Sequence, residues 1–323
     1  MGWWKVGADT LAASRFVISP LAETMASLMT LERGPAAHPG IRTWLDTHRP
    51  AYREHLAEDP VTALAVRAAL GSRWVADFLT PAPLGDGERP FARELATIRD
   101  TAPEIVLADL ETSSNGQVPA PLHRPDLALR LADLLEWVWT ESVLPYWPRR
   151  RNVLEADILA RSARLAHGGW VAALDDMGPG VRWLGDGRLQ INAHNYPPQD
   201  ISAAQLLFVP VTPGRGWVSW DQPYRYALTY ACAGALADAS QTPVPASLAA
   251  LIGRGRARVL FLLETPKSTT QLVSLTGLGL GSVGRHLKTL LESRLVQRRR
   301  AGRSVLYYRT QAGDTLVHAS RRC

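Results

Sequence analysis

The chain has 323 residues, 46% of them hydrophobic and 20% charged, with a net charge of +6. That length suits two domains or one large domain with an appendage, and no stretch approaches the roughly 18 unbroken apolar residues of a membrane span. Its two cysteines, Cys232 and Cys323, make neither a disulfide framework nor a CxxC metal or redox motif, and the opening residues lack the basic-then-apolar order of a secretory leader, so a cytoplasmic protein is expected.

A strand is expected over Arg15 to Ser19. Ser19-Pro20 then reads as the cap and first residue of a helix running to about Glu32, with Leu21, Met25, Leu28 and Met29 at helical spacing. Further helices are expected over 61–71, 91–99, 103–110, 126–144 and about 153–174. In the fourth of these, Leu127, Leu131, Leu134, Leu135 and Val138 line one face. The pattern then changes. Segments 181–184, 188–192, 206–211, 216–220 and 225–230 are short, rich in Val, Ile, Trp and Tyr, and separated by Gly, Pro and Asp. They predict strands of a small antiparallel sheet. Gln241-Thr242-Pro243-Val244-Pro245 marks a boundary, because closely spaced prolines favour an extended connection. The expected fold is α+β: an N-terminal mixed helical domain with a small antiparallel sheet over 1–242, then a C-terminal winged helix-turn-helix over 246–323.

The charge follows that boundary. From Leu248 onward, fourteen Lys and Arg face only Glu264, Glu292 and Asp314, a balance of +11, which leaves −5 for the preceding 247 residues. Positive charge gathered in one terminal module is what phosphate binding requires.

Within that module Ser268-Thr269-Thr270-Gln271 fits a capping box opening a short helix, with Leu272 and Leu275 inward and Thr276-Gly277-Leu278 as the turn. Val283, Leu287, Leu290 and Leu291 give the next helix one apolar stripe; its other face carries Ser282, Arg285, His286, Lys288 and Thr289. Arginine can pair with a guanine edge through two hydrogen bonds, and serine or threonine with bases or phosphates. Leu295 to Arg298 and Val305 to Tyr308 predict a hairpin with Arg299, Arg300 and Arg303 around its tip. The expected DNA-contacting residues are Thr269, Thr270, Ser282, Arg285, His286, Lys288, Arg299, Arg300 and Arg303.

The segment from about Leu248 to Thr310 resembles the winged-helix domain of the ArsR family of bacterial regulators. The resemblance lies in Ser268-Thr269-Thr270-Gln271-Leu272, Val283, Arg285-His286-Leu287-Lys288, Leu290, Leu295-Val296 and Arg303-Ser304-Val305-Leu306-Tyr307. The whole chain is similar to long actinobacterial members with an N-terminal domain of unclear role. The resemblance implies a homodimer binding palindromic double-stranded DNA, most often as a repressor released by a signal. Two departures stand out: Gly279-Leu280 occupies the place of the usual serine cap, and Gly284 precedes the Arg-His pair where serine is common. The family's metal-sensing cysteines are missing from 269–276, so no metal or other cofactor is expected, and a non-metal small-molecule effector is the alternative signal.

Other motifs weigh less. Gly279 to Gly284 matches GxGxxG, but a helix precedes it and no acid follows at the distance a dinucleotide site needs. Asp314 and His318 stand four apart on the last helix without a second ligand cluster. His194-Asn195-Tyr196 and Asp175-Asp176 make no catalytic spacing, so no enzyme is expected. All eleven tryptophans precede the boundary; they pack a core or line a pocket between the 126–174 helices and the sheet. Two other readings remain open: an enzyme domain fused to a DNA-binding module, and a regulator controlled by protein contact.

Overall fold

A computed structural model describes the chain except residues 1, 35–38, 72, 73, 117, 175, 176, 179, 193–195, 214, 215, 233–243, 265, 277, 302, 303 and 321–323; the side chains of 39, 40, 270, 271, 274, 300, 301 and 304 also lie outside the description. The Gln241–Pro243 part of the expected boundary, His194, Asn195 and the Asp175-Asp176 pair fall in those gaps.

The first part of the chain runs β1 (Trp3–Lys5), α1 (Ala8–Ala13), β2 (Arg15–Phe16), α2 (Pro20–Arg33), α3 (Pro39–Glu58), α4 (Pro60–Ala69), α5 (Phe91–Arg99), α6 (Pro103–Ser113), α7 (Leu127–Val138) and α8 (Trp147–Leu174). Six strands follow: β3 (Arg182–Gly185), β4 (Arg188–Gln190), β5 (Gln199–Asp200), β6 (Gln205–Val211), β7 (Trp217–Asp221) and β8 (Arg225–Ala231).

Helix α2 begins as its sequence predicts. Ser19 Oγ accepts from the Ala22 amide at 3.0 Å, and Pro20 needs no amide partner in the first turn. Its burial differs from an amphipathic surface helix, since Glu23, Thr24 and Ser27 are as buried as Met25 and Leu28. Helix α3 was not expected, because Pro50 reads as a breaker. Burial of Ile41, Trp44, Leu45, Tyr52 and Leu56 holds the helix through that proline. The expected 126–144 helix stops at Val138 and passes into a widened π turn over Trp139–Val143. Residue Ser142 there presents its carbonyl to the Trp44 indole at 2.8 Å.

The sheet expectation is corrected. Two four-stranded sheets form, ordered β3-β4-β1-β5 and β2-β6-β8-β7, and both are mixed. Strand β1 runs antiparallel to β4 and parallel to β5; β2, β6 and β8 are mutually parallel, with β7 antiparallel at the edge. The parallel pairs have two sources: two very short strands at the start of the chain join partners almost two hundred residues later, and β6 lies directly beside β8 while β7 takes the outer edge. Strand β6 is buried along six of its seven positions, as parallel strands covered on both faces are. Leu206 and Phe208 join one cluster with Leu228, Tyr230 and Leu174; Leu207, Val209 and Val211 join another with Ala22 and Ala26 of α2.

Charges lie between these layers. Arg150 of α8 and Glu23 of α2 are fully buried and paired at 2.7 Å. Arg150 also donates to Ser27 Oγ at 2.7 Å and lies 4.9 Å from the Trp44 ring centre. The Thr212 amide and hydroxyl both donate to Glu23. About two turns further along α8, Asp157 pairs with Arg161 at 2.9 Å and accepts from the Tyr230 hydroxyl at 2.8 Å.

The rest of the chain forms α9 (Ala246–Ile252), α10 (Arg254–Leu262), β9 (Lys267–Ser268), α11 (Thr269–Thr276), α12 (Leu280–Glu292), β10 (Val296–Ala301), β11 (Ser304–Arg309) and α13 (Gln311–Ser320). One hydrophobic cluster, including Leu248, Leu260, Leu272, Val283, Leu287, Val296 and Val317, is built only from this part. Helix α11 also packs against α8.

Two expectations test this fold. Arg150→Ala strands the Glu23 carboxylate in the core and should lower unfolding free energy by about 3–5 kcal/mol in urea titrations. Burial raises the Glu94 carboxyl to about 7, although it accepts from Ser19 Oγ and the Leu21 amide. A carboxyl whose folded value lies above its unfolded one stabilises fully below the unfolded value and loses that contribution as pH rises through the folded one. Stability should therefore fall between about pH 4.5 and 7, by up to about 3 kcal/mol, and Glu94→Gln should flatten that slope in chemical denaturation.

Candidate nucleic-acid interface

Helix α12 spans the residues expected of it. Val283, Leu287 and Leu290 are buried against α10 and α11, which leaves Arg285 and Lys288 exposed and Ser282 half-exposed. Arg285 reaches back to Ser282 Oγ at 3.5 Å, its carbonyl accepts from Thr289 Oγ1 at 3.1 Å, and Lys288 stands 3.9 Å from Glu292. Hydrophobic packing thus turns a serine, an arginine and a lysine outward from one helix face.

His286 does not share that open face. It lies three residues after Val283 and four before Leu290, so the helical period carries its ring to the packed side. There it meets α10: a β-carbon built on Gly255 would sit 2.5 Å from His286 Nε2. Burial, then Arg256 and Arg285, hold its pKa below the usual histidine range.

Gly279 supplies no side-chain cap to α12. Gly281 and Gly284 are exposed and keep ordinary helical φ, and a methyl group added at either would meet nothing within 4 Å. Neither packing nor backbone geometry within the chain requires glycine at either place. Past the end of α12 at Glu292 and its cap Ser293, Arg294 takes φ +55° where glycine is usual, and the Leu295 amide bonds to the Leu290 carbonyl at 3.0 Å. The Arg294 carbonyl is fixed by Thr310 Oγ1 at 2.7 Å.

Ahead of α12, Thr276 Oγ1 bonds to the Leu272 carbonyl at 2.6 Å and accepts from the Leu278 amide at 3.3 Å, tightening the turn; Gly277 lies outside the described residues. Thr269 is half-buried at the start of α11, and the side chain of Thr270 is not described. Ser268 closes β9 opposite Leu306, while Gln271, its expected capping partner, has no described side chain.

Strands β10 and β11 form the hairpin, with Arg298 opposite Tyr307 and Arg299 opposite Leu306. Arg298 and Arg299 are exposed. Arg300 pairs with Val305 through its backbone, its side chain is not described, and Arg303 lies outside the described residues. Strand β9 adds a third strand beside β11. Sequence reading passed over Arg254, Arg256, Arg294 and Arg298 as contact candidates, although the charge count contained all four. Single arginines spread over three elements carry no motif until folding gathers them.

Other candidates resolve into packing. Asp314 pairs with Arg309 at 3.1 Å, and His318 bonds to the Asp314 carbonyl at 2.7 Å. Among the described residues no group of three or more His, Cys, Asp or Glu could hold a metal, and no helix is long and apolar enough to cross a membrane. Trp170 of α8 stacks on Phe208 of β6, between helix and sheet where a pocket was expected, and Trp139 stacks on Phe91 among the helices. A groove of about 520 Å³ opens elsewhere, between α3, α4 and α7, beside His55, Asp59, Arg130 and Trp137.

Residues 254–298, from α10 to the first half of the hairpin, match the family model described as bacterial regulatory protein, arsR family. The chain carries an ArsR-family helix-turn-helix domain. Such a domain makes it a DNA-binding transcriptional regulator with a long N-terminal region. No curated protein and no solved structure matches the chain. The match ends at Arg298 within β10, and β11 and α13 follow it.

Lys267 sets a pH signature on this domain. Burial presses its ammonium group down to about 8, with Arg309 adding and Glu264 opposing. A lysine depressed in the folded state lowers stability at neutral pH, and that penalty lifts as the group deprotonates. Domain stability should therefore rise between about pH 8 and 10.5, and Lys267→Met should remove the rise in thermal melts.

Proposed function

We propose that the protein is a sequence-specific regulator, acting as a homodimeric repressor on a palindromic operator and performing no catalysis of its own. The observation that carries this reading is the outward face of α12, with Ser282, Arg285 and Lys288 beside the arginine-bearing β10–β11 hairpin. Helix α12 is the recognition helix for the major groove, α11 its positioning helix, and the hairpin a wing along the phosphates. Two-fold symmetry would set two recognition helices about 34 Å apart, one DNA turn.

Residues 1–242 form the dimerisation and effector-receiving domain in this reading, and 246–323 the DNA-binding domain. The signal is a non-metal ligand, because the described residues of α11 contain no thiol. A soluble cytoplasmic site of action follows from the DNA partner.

Selection of bound duplexes from a random library, followed by mapping of genomic binding sites, tests the reading. The expected outcome is a palindromic motif with half-sites one helical turn apart; enrichment of no motif would sink sequence specificity. On the selected site, Arg285→Ala should cost about 1–3 kcal/mol and relax preference at one base position. Arg299→Ala should weaken all duplexes alike and lower the salt slope by about one.

A further inference from the structure

Cations from two elements face the junction of α10 and α12, and among the described residues the one carboxylate paired with any of them is Glu292, at Lys288. Arg254 and Arg256 stand in the first turn of α10, and Arg285 and Lys288 on α12. His286 reaches into the same junction beside Gly255, where an added β-carbon would sit 2.5 Å from Nε2 and the ring would have to shift. Arg256 and Arg285 both act on His286 electrostatically, and no carboxylate does.

The neighbouring elements supply no compensation. Helices α9 and α11 contain no charged residue, and α10 presents Arg254, Arg256 and Arg258. Strand β10, which also packs on α12, brings Arg298 and Arg299. Glu292 lies on the last turn of α12 beside Lys288, and Glu264 lies beyond the far end of α10 by Lys267. Among the described residues Arg254, Arg256 and Arg285 have no ion pair; Arg256 is fixed instead by the Ile252 carbonyl at 2.5 Å. Like charges held together raise the energy of the free protein, and an anion from outside relieves it.

We propose that Arg256, His286 and Arg285 together hold one phosphate group of the DNA backbone, and that His286 takes up a proton from solvent as the phosphate arrives. This rests on the DNA-binding reading above and extends its footprint onto α10. In the free protein burial, and after it the Arg256 and Arg285 guanidinium groups, disfavour a positive charge on His286. A phosphate cancels that field, and the imidazolium then offers both ring N–H groups, one of them toward a phosphate oxygen. Binding thus consumes up to one proton, and affinity rises as pH falls through the window between the free and bound titrations of His286.

Fluorescence anisotropy of the full chain with a labelled mixed-sequence duplex, three helical turns long, tests this from pH 8 down to about 5.5. The wild type should bind roughly threefold to tenfold more tightly at the acid end. His286→Gln should bind with little pH dependence, and Arg256→Gln should lower the slope of log affinity against log salt by about 0.9. At unchanged melting temperature, a His286→Gln protein with the wild-type pH slope, or an Arg256→Gln protein with the wild-type salt slope, overturns the proposal. Should either variant melt early, NMR titration of the His286 ring in the wild type decides instead: a pKa raised by the duplex supports the proposal, and an unchanged one overturns it. A wild-type protein that leaves the duplex free at low salt overturns the DNA reading itself, so the two failures are distinct.

Discussion

A guanidinium with no exposure to water must be neutralised where it stands, and the first two-thirds of this chain is arranged around that need at Arg150. Removing such a charge from water costs several kcal/mol, recovered only when a partner and hydrogen bonds are already in place. Glu23 supplies the charge, Ser27 and the Ser142 carbonyl supply acceptors, and Trp44 supplies a π face. Those groups come from α2, α3 and the widened turn after α7, while Thr212 at the end of β6 occupies the other side of the carboxylate. Helix, turn and sheet therefore share one electrostatic fixture. A hydrophobic residue at position 150 would tolerate many packings, whereas a buried fork of donors accepts few.

The C-terminal part is stabilised on a different principle. Its core is almost entirely aliphatic, with Leu248, Leu260, Leu272, Val283, Leu287 and Leu290 at the centre, while Arg285, Arg294, Arg298 and Arg299 remain exposed. Burying the stripe of α12 fixes the rotation of that helix, and the rotation fixes which polar residues meet an external partner. The same logic explains His286. Its phase on the helix follows Val283 and Leu290, which sets its ring beside Gly255 of α10 rather than on the open face with Arg285 and Lys288.

Legibility in the sequence followed the length and locality of each signal. Helix α5 was readable to the residue, and the buried stripe of α12 position by position, because each carries a local apolar period. Ser19 was readable as a cap because capping is settled within four residues. Helix α3 was hidden by Pro50, whose local preference is overridden by the burial of Trp44 and Tyr52. Sheet pairing was illegible for a deeper reason: alternation marks a strand but names no partner, and Trp3–Lys5 and Arg15–Phe16 are too short to show alternation at all. Within the candidate interface, Arg285 and Lys288 were found through the periodicity of α12. Arg254 and Arg256 were not, since only the fold brings the first turn of α10 beside α12.

These two principles meet along α8. That helix carries Arg150 near its start and Asp157 and Arg161 in its middle, and it packs against α11 of the helix-turn-helix. Sliding or rotating α8 would pull Arg150 from Glu23 of α2 and Asp157 from the Tyr230 hydroxyl of β8, leaving buried polar groups unmatched where they cannot be hydrated. The helix on which α11 rests is consequently stiff along the stretch that holds its buried charges. Beyond them the chain changes character: Gly168 and Gly169 are exposed, and Gly169 leaves helical geometry at φ +65°. The backbone of α8 is therefore most constrained where its charges are buried, and it departs from helical geometry past Arg161, at Gly169.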